Sequence, residues 1–136
     1  MNLIFNEDSK LEDINKAFQQ HFPFLKIQFY EDKIDQLAHK EVPGDPIKDY
    51  SKTIHDVLHA RINCSISMNG HTKVKNFEKN WIEDAGIWVQ VFRKSGKIWL
   101  QTTVTDEMTL SEINHLGEEM NMPMGKDELP DIHEQE

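Results

Sequence analysis

The residue pattern of positions 3–30 returns 63 positions further along the chain, and this echo constrains the fold more than any other feature. Leu3 and Phe5 alternate with Ile4 in a short extended run, Asn2 to Asn6. Ile66 and Met68 alternate in the same phase, and Asn69 falls where Asn6 fell. Ser9 is a candidate helix N-cap with Glu12 three residues on, the spacing of a capping box, and Thr72 stands at the matching place. Leu11, Ile14 and Phe18, continued by Phe22, make an apolar stripe at helical spacing. Val74, Phe77 and Trp81 repeat it, and Pro23 and Gly86 stop the two helices. With one residue deleted, Ile87, Val89 and Val91 match Leu25, Ile27 and Phe29. Further on, Thr53 and Thr109 each precede an acid by three residues, Asp56 and Glu112, as caps of a second helix in each half.

Two such strand–helix–strand units, linked by right-handed crossovers, place parallel strands side by side or nearby. The apolar helix stripes then bury most economically on one aliphatic sheet face. The expected fold is therefore α+β: a two-layer sandwich with a mixed sheet built from two pseudo-repeated units and helices packed on one face. A chain of 136 residues suits one domain with its own core. Residues 1–117 are expected to form it, as pseudo-repeats of about 2–62 and 65–117, with 118–136 an acidic, flexible tail. Residues 33–51 contain Pro43-Gly44-Asp45-Pro46, which cannot run as a central strand because proline lacks an N–H. They are expected to form a surface loop.

The second half also holds two alternating runs on either side of Ser95-Gly96, a two-residue turn with glycine supplying a positive φ. This turn sets Phe92 opposite Trp99, Gln90 opposite Gln101 and Trp88 opposite Thr103, while Val89, Val91, Ile98 and Leu100 point to the other face. The first face gathers Lys26, Gln28 and Tyr30 with Trp88, Gln90, Phe92, Trp99, Gln101 and Thr103. Aromatics among amides could dock a protein or a second copy of the chain, or stack a flat ligand or single-stranded bases. The plain alternative is ordinary core, covered by a helix or by the 33–51 loop.

The net charge of −9 argues against a phosphate-backbone or anionic-membrane binder. Residues 117–136 carry −6 of it, however, so the preceding body is close to balance. Cys64 is the only cysteine, which excludes an intramolecular disulfide and a tetrathiolate zinc site. Neither a leader pattern nor an 18-residue apolar window occurs, so a cytoplasmic, membrane-free protein is expected.

Other candidate chemistry is weaker. Arg93, Lys94 and Lys97 make a basic hairpin tip that could meet phosphate or carboxylate, but the spacing is not that of a P-loop and such tips are usually just solvated. His55 and His59 stand four apart on a helix, a spacing that can hold one metal, yet no third ligand accompanies them and surface histidines are the simpler reading. Met120, Met122 and Met124 alternate as soft copper ligands could, without a scaffold. Cys64 reads as a small buried hydrophobe. No catalytic motif occurs and no cofactor is implied.

The run VQVFRKSGKIWLQTTVTDEMTL, preceded by HTKVKNFEKNW, resembles a motif of small bacterial proteins of no established function. In that pattern an aromatic residue, often tryptophan, stands where this chain has Met108. The resemblance covers about residues 70–117 and implies no catalytic residue. The expected function is thus a protein-interaction or self-associating module using Tyr30, Trp88, Gln90, Phe92, Trp99 and Gln101. A small-ligand or single-stranded nucleic-acid binder on the same face is the alternative. A third reading is an enzyme with a cleft between the halves lined by Arg93, His55 or His71.

Overall fold

The computed structural model describes residues 2–58, 63–102 and 107–121. They form a mixed α+β structure of four helices and two antiparallel sheets. The elements are β1 (Asn2–Asn6), α1 (Leu11–His21), β2 (Leu25–Asp35), β3 (Lys40–Pro46), α2 (Ile54–Leu58), β4 (Asn63–Ser67), α3 (Val74–Asn80), β5 (Trp88–Ser95), β6 (Ile98–Gln101) and α4 (Leu110–Asn121). A π-helical turn, Trp81–Ala85, prolongs α3 and ends at Gly86. The order strand–helix–strand–strand–helix therefore runs from Asn2 to Leu58 and again from Asn63 to Asn121. No helix among the described residues is long and apolar enough to cross a membrane.

The expected parallel neighbours and mixed sheet do not form. β1 pairs antiparallel with β4, from Asn2 opposite Ser67 to Asn6 opposite Asn63. The larger sheet has the order β3-β2-β5-β6, with β2 and β5 antiparallel from Leu25 opposite Arg93 to Tyr30 opposite Trp88. Each strand–helix–strand unit sends its two strands to different sheets. A crossover rule applies only when both strands share a sheet, and here the ladder bonds of β1 are met by β4 instead of β2.

The apolar stripes bury as their spacing requires. Leu11, Ile14 and Phe18 of α1, Val74 and Phe77 of α3, Trp81, and Leu110 and Ile113 of α4 share one core with Leu25, Ile27, Phe29, Val89 and Val91. Trp81 lies at its centre, stacked on Phe5 at 4.9 Å between ring centroids and edge-on to Phe29 at 5.5 Å.

The helix starts are made differently from the expectation. Neither α1 nor α3 has a side-chain cap, and Lys10 and Lys73, not Ser9 and Thr72, are the N-cap residues. Backbone carbonyls take the first N–H groups instead: Leu11 N–H donates to Lys52 O and Val74 N–H to Met108 O, each at 2.9 Å. Ile54 N–H in turn donates to Ser9 O and Leu110 N–H to Thr72 O, each at 2.9 Å. A helix end needs partners for its free N–H groups but not side-chain ones. The threonine caps do form. Thr53 N–H donates to Asp56 Oδ2 (3.0 Å) and Asp56 N–H to Thr53 Oγ1 (3.2 Å). Thr109 and Glu112 exchange the same two bonds at 2.8 and 3.1 Å.

Residues 33–35 and 40–46 are strand, not loop. β2 continues to Asp35, turns through His39 in a left-handed conformation (φ 55°) and returns as β3. Pro43 and Pro46 lie on this outermost strand, where a missing N–H faces no neighbour. Proline bars a central strand, not an edge. The helix α4 runs to Asn121, four residues past the expected end of the domain.

Between Leu25 and Phe29 the side of β2 away from β5 has no strand partner, because β3 joins only at Tyr30. Side chains complete it. Ile27 N–H donates to Asn15 Oδ1 (2.8 Å), Gln19 Nε2 donates to Leu25 O (3.1 Å), and the Tyr50 hydroxyl donates to Ile27 O (2.6 Å) while accepting from Phe29 N–H (3.3 Å). Burial pushes the Tyr50 phenol up to about 12 from its ordinary 10.0. Its folded-state pKa lies above the unfolded one, so its contribution is complete below the unfolded pKa and is lost as pH rises through about 12. Tyr50→Phe is expected to cost about 1 kcal/mol at neutral pH. The same change should flatten the alkaline limb of the stability curve, as urea titrations between the unfolded pKa and about 12 would show.

Candidate interaction surface

Strand alternation builds the surface from β2, β5 and β6. Leu25, Ile27, Phe29, Val89 and Val91 face the core, so Lys26, Gln28, Tyr30, Trp88, Gln90 and Phe92 face the other way. These six are half-buried. On β5 and β2, Lys26 stands opposite Phe92, Gln28 opposite Gln90 and Tyr30 opposite Trp88.

The β5–β6 register differs from the expectation by two residues. Gly96 has φ 61° and occupies the first turn position, so the turn is Gly96-Lys97 and Ser95 faces Ile98. Trp99 is therefore opposite Lys94, not Phe92, and Gln101 is opposite Phe92, not Gln90. A two-residue slip preserves the faces, so Trp99 and Gln101 still join the aromatic side. Thr103 lies outside the described residues.

Most polar tips on this face are engaged within the chain. The Tyr30 hydroxyl donates to Gln90 Oε1 at 2.8 Å, and Trp88 Nε1 donates to Asp32 Oδ1 at 2.8 Å. Gln28 Nε2 donates to Phe29 O and Ile47 O, each at 2.9 Å. The Lys26 ammonium sits 5.6 Å from the Phe92 centroid and 5.2 Å from that of Trp99, within cation–π range of both. Partial burial holds the Lys26 pKa below its ordinary value, and desolvation raises that of Tyr30. Beside Tyr30 and Trp88 is a depression of about 220 Å³, also lined by Pro43, Gly44, Gln90 and Gln101.

The remaining candidates do not assemble. Arg93 is only 1% exposed, on the core side of β5 opposite Leu100. It is part of the packing under α4 and not of a basic tip. Lys94 is half-buried and Lys97 exposed. His55 is exposed on α2, and His59, Met122 and Met124 lie outside the described residues. No group of three metal-ligating side chains occurs among the described residues. Cys64 is half-buried with Sγ 3.6 Å from Asp84 O, and burial raises its pKa, the opposite of what a nucleophile needs.

A wider depression of about 630 Å³ escaped the sequence reading. It is lined by Glu31, Asp32, Lys48, Asp49, Lys52 and Asp56, among others, all from the first half, and includes none of Arg93, His55 or His71. Two of its carboxylates are already employed: hydrogen bonds from Ser51 lower the Asp49 pKa, and those from Thr53 lower that of Asp56. Both carboxylates serve a turn or a helix cap. Compared with known proteins, the chain matches no family model, no curated protein and no solved structure.

Proposed function

We propose that this chain is a protein-interaction module that docks a protein, a second copy of itself included, on the outer face of β2, β5 and β6. One observation carries the reading: Tyr30, Trp88, Phe92 and Trp99 form a single half-exposed ring surface whose polar tips are mostly satisfied by the chain itself. What such a face offers outward is carbon and ring edge, the material of an interface centre. Reading a small ligand or a base needs free donors and acceptors, and the Phe92 and Trp99 rings carry Lys26. The adjoining depression of about 220 Å³ is also smaller than ligand sites of roughly 300–1,000 Å³.

The same reading treats the halves as two copies of one unit, with helices behind and rings in front. Its support is the set of matched backbone bonds, Leu11 to Lys52 with Val74 to Met108, and Ile54 to Ser9 with Leu110 to Thr72. Sedimentation velocity on the wild type and Phe92→Glu tests the docking face. Association is expected to weaken at least tenfold, about 1.4 kcal/mol, with far-UV dichroism unchanged. Self-association and capture of a protein partner both unaffected by Phe92→Glu and by Trp88→Gln overturn the docking face.

A further inference from the structure

The two edges of the larger sheet are built in opposite ways. The β3 edge carries Lys40, Glu41 and Asp45, two prolines, and a bulge opposite Tyr30–Asp32, all devices that deter strand addition. The β6 edge, Ile98-Trp99-Leu100-Gln101, has no charge, no proline and no glycine, and Ile98 is 58% exposed. Across the tight turn Ser95 and Ile98 form a hydrogen-bonded pair, as do Arg93 and Leu100 two rungs on. The N–H and C=O groups of Trp99 and Gln101 therefore point away from β5, where no described residue bonds them.

From this edge we infer that a second copy of the chain joins at β6, antiparallel about a two-fold axis through Leu100, to make one continuous sheet. The edge is complementary to itself, as an isologous contact requires. Trp99 of one copy faces Gln101 of the other in a hydrogen-bonded pair, and the symmetry repeats the pair on the far side of the axis. Leu100 meets its own counterpart at the close, non-hydrogen-bonded position between them. No like charges oppose each other in β6, and the two aromatic faces become one surface. The inference rests on reading the chain as a self-associating module, but it puts the contact at the edge and leaves the face open.

Sedimentation velocity and amide exchange on the full chain test it. The wild type is expected to dimerise with the Trp99 and Gln101 amides protected. Gln101→Pro removes one outward N–H while sparing the β5 ladder, and Ile98→Lys sets a charge on the exposed edge. Each is expected to raise the dimer dissociation constant at least tenfold without changing far-UV dichroism. A monomeric wild type overturns the inference, whatever other strand the edge accepts. So does a dimer that survives both edge variants but is lost in Phe92→Glu, a result that leaves the docking face standing. Loss in the edge variants alone sustains the edge and removes the face from self-association.

Discussion

Trp81→Ala is expected to destabilise the fold by about 3–5 kcal/mol, the range for deleting a fully buried large aromatic side chain. The indole is wholly buried, stacked on Phe5 and met edge-on by Phe29 and Phe77. It thus joins the small sheet, the large sheet and α3 at one point, and no neighbouring side chain can collapse into its space from all three. Trp81→Phe separates shape from polarity. Trp81 Nε1 is buried without a hydrogen-bond partner among the described residues, a condition that costs roughly 1–3 kcal/mol. Phenylalanine removes that N–H while leaving a modest gap, so its net effect should stay within about 1.5 kcal/mol of the wild type. Urea unfolding of the two variants checks both figures, and equal large losses would refute the role given to the N–H.

Gly117→Ala should lower the melting temperature, against the ordinary trend. In an unconstrained helix interior that change gains roughly 0.5–1 kcal/mol. Here an added Cβ would lie 2.8 Å from Phe24 Cβ and 3.2 Å from Arg93 Cγ. Neither neighbour is free to retreat. Phe24 N–H is held by Asn114 Oδ1 at 2.9 Å, Phe24 O accepts from Lys94 N–H at 2.8 Å, and Arg93 is enclosed. Overpacking of this kind costs about 1–3 kcal/mol, which exceeds the helix gain. Gly117→Val should lose more than Gly117→Ala. Thermal unfolding that shows Gly117→Ala at or above wild-type stability would mean that α4 stands further from β5.

The elements themselves were legible because each apolar side chain had only one face to bury. Leu3 and Phe5 against Ile4, and Val89 and Val91 against Gln90, mark strands without tertiary information. Pairing was not legible in the same way. Leu25, Ile27 and Phe29 say that β2 buries one face, but nothing in them selects β5 and excludes β1. β3 was hidden because Pro43, Gly44 and Pro46 are poor strand residues that an edge tolerates. Without β3 the walls of both depressions were invisible, since Gly44 lines one and Pro46 the other. The place of Arg93 is hard to read from sequence for a simpler reason. Alternation puts it on the core side of β5, against the general preference of arginine for water. The aromatic face itself was legible from alternation alone, because a two-rung slip at Gly96 cannot move a side chain to the other side.

The exchange of strands between halves dictates when the molecule can come into being during synthesis. Leu3 finds its rung only with Ile66, and Ile27 only with Val91. A ribosome that has delivered the chain up to Leu58 has therefore delivered a hairpin and two helices while β1 and β2 still lack β4 and β5. Assembly must wait for β5, and non-local pairings of this kind fold slowly. During that interval the edges of β1 and β2 that later meet β4 and β5 stand unpaired.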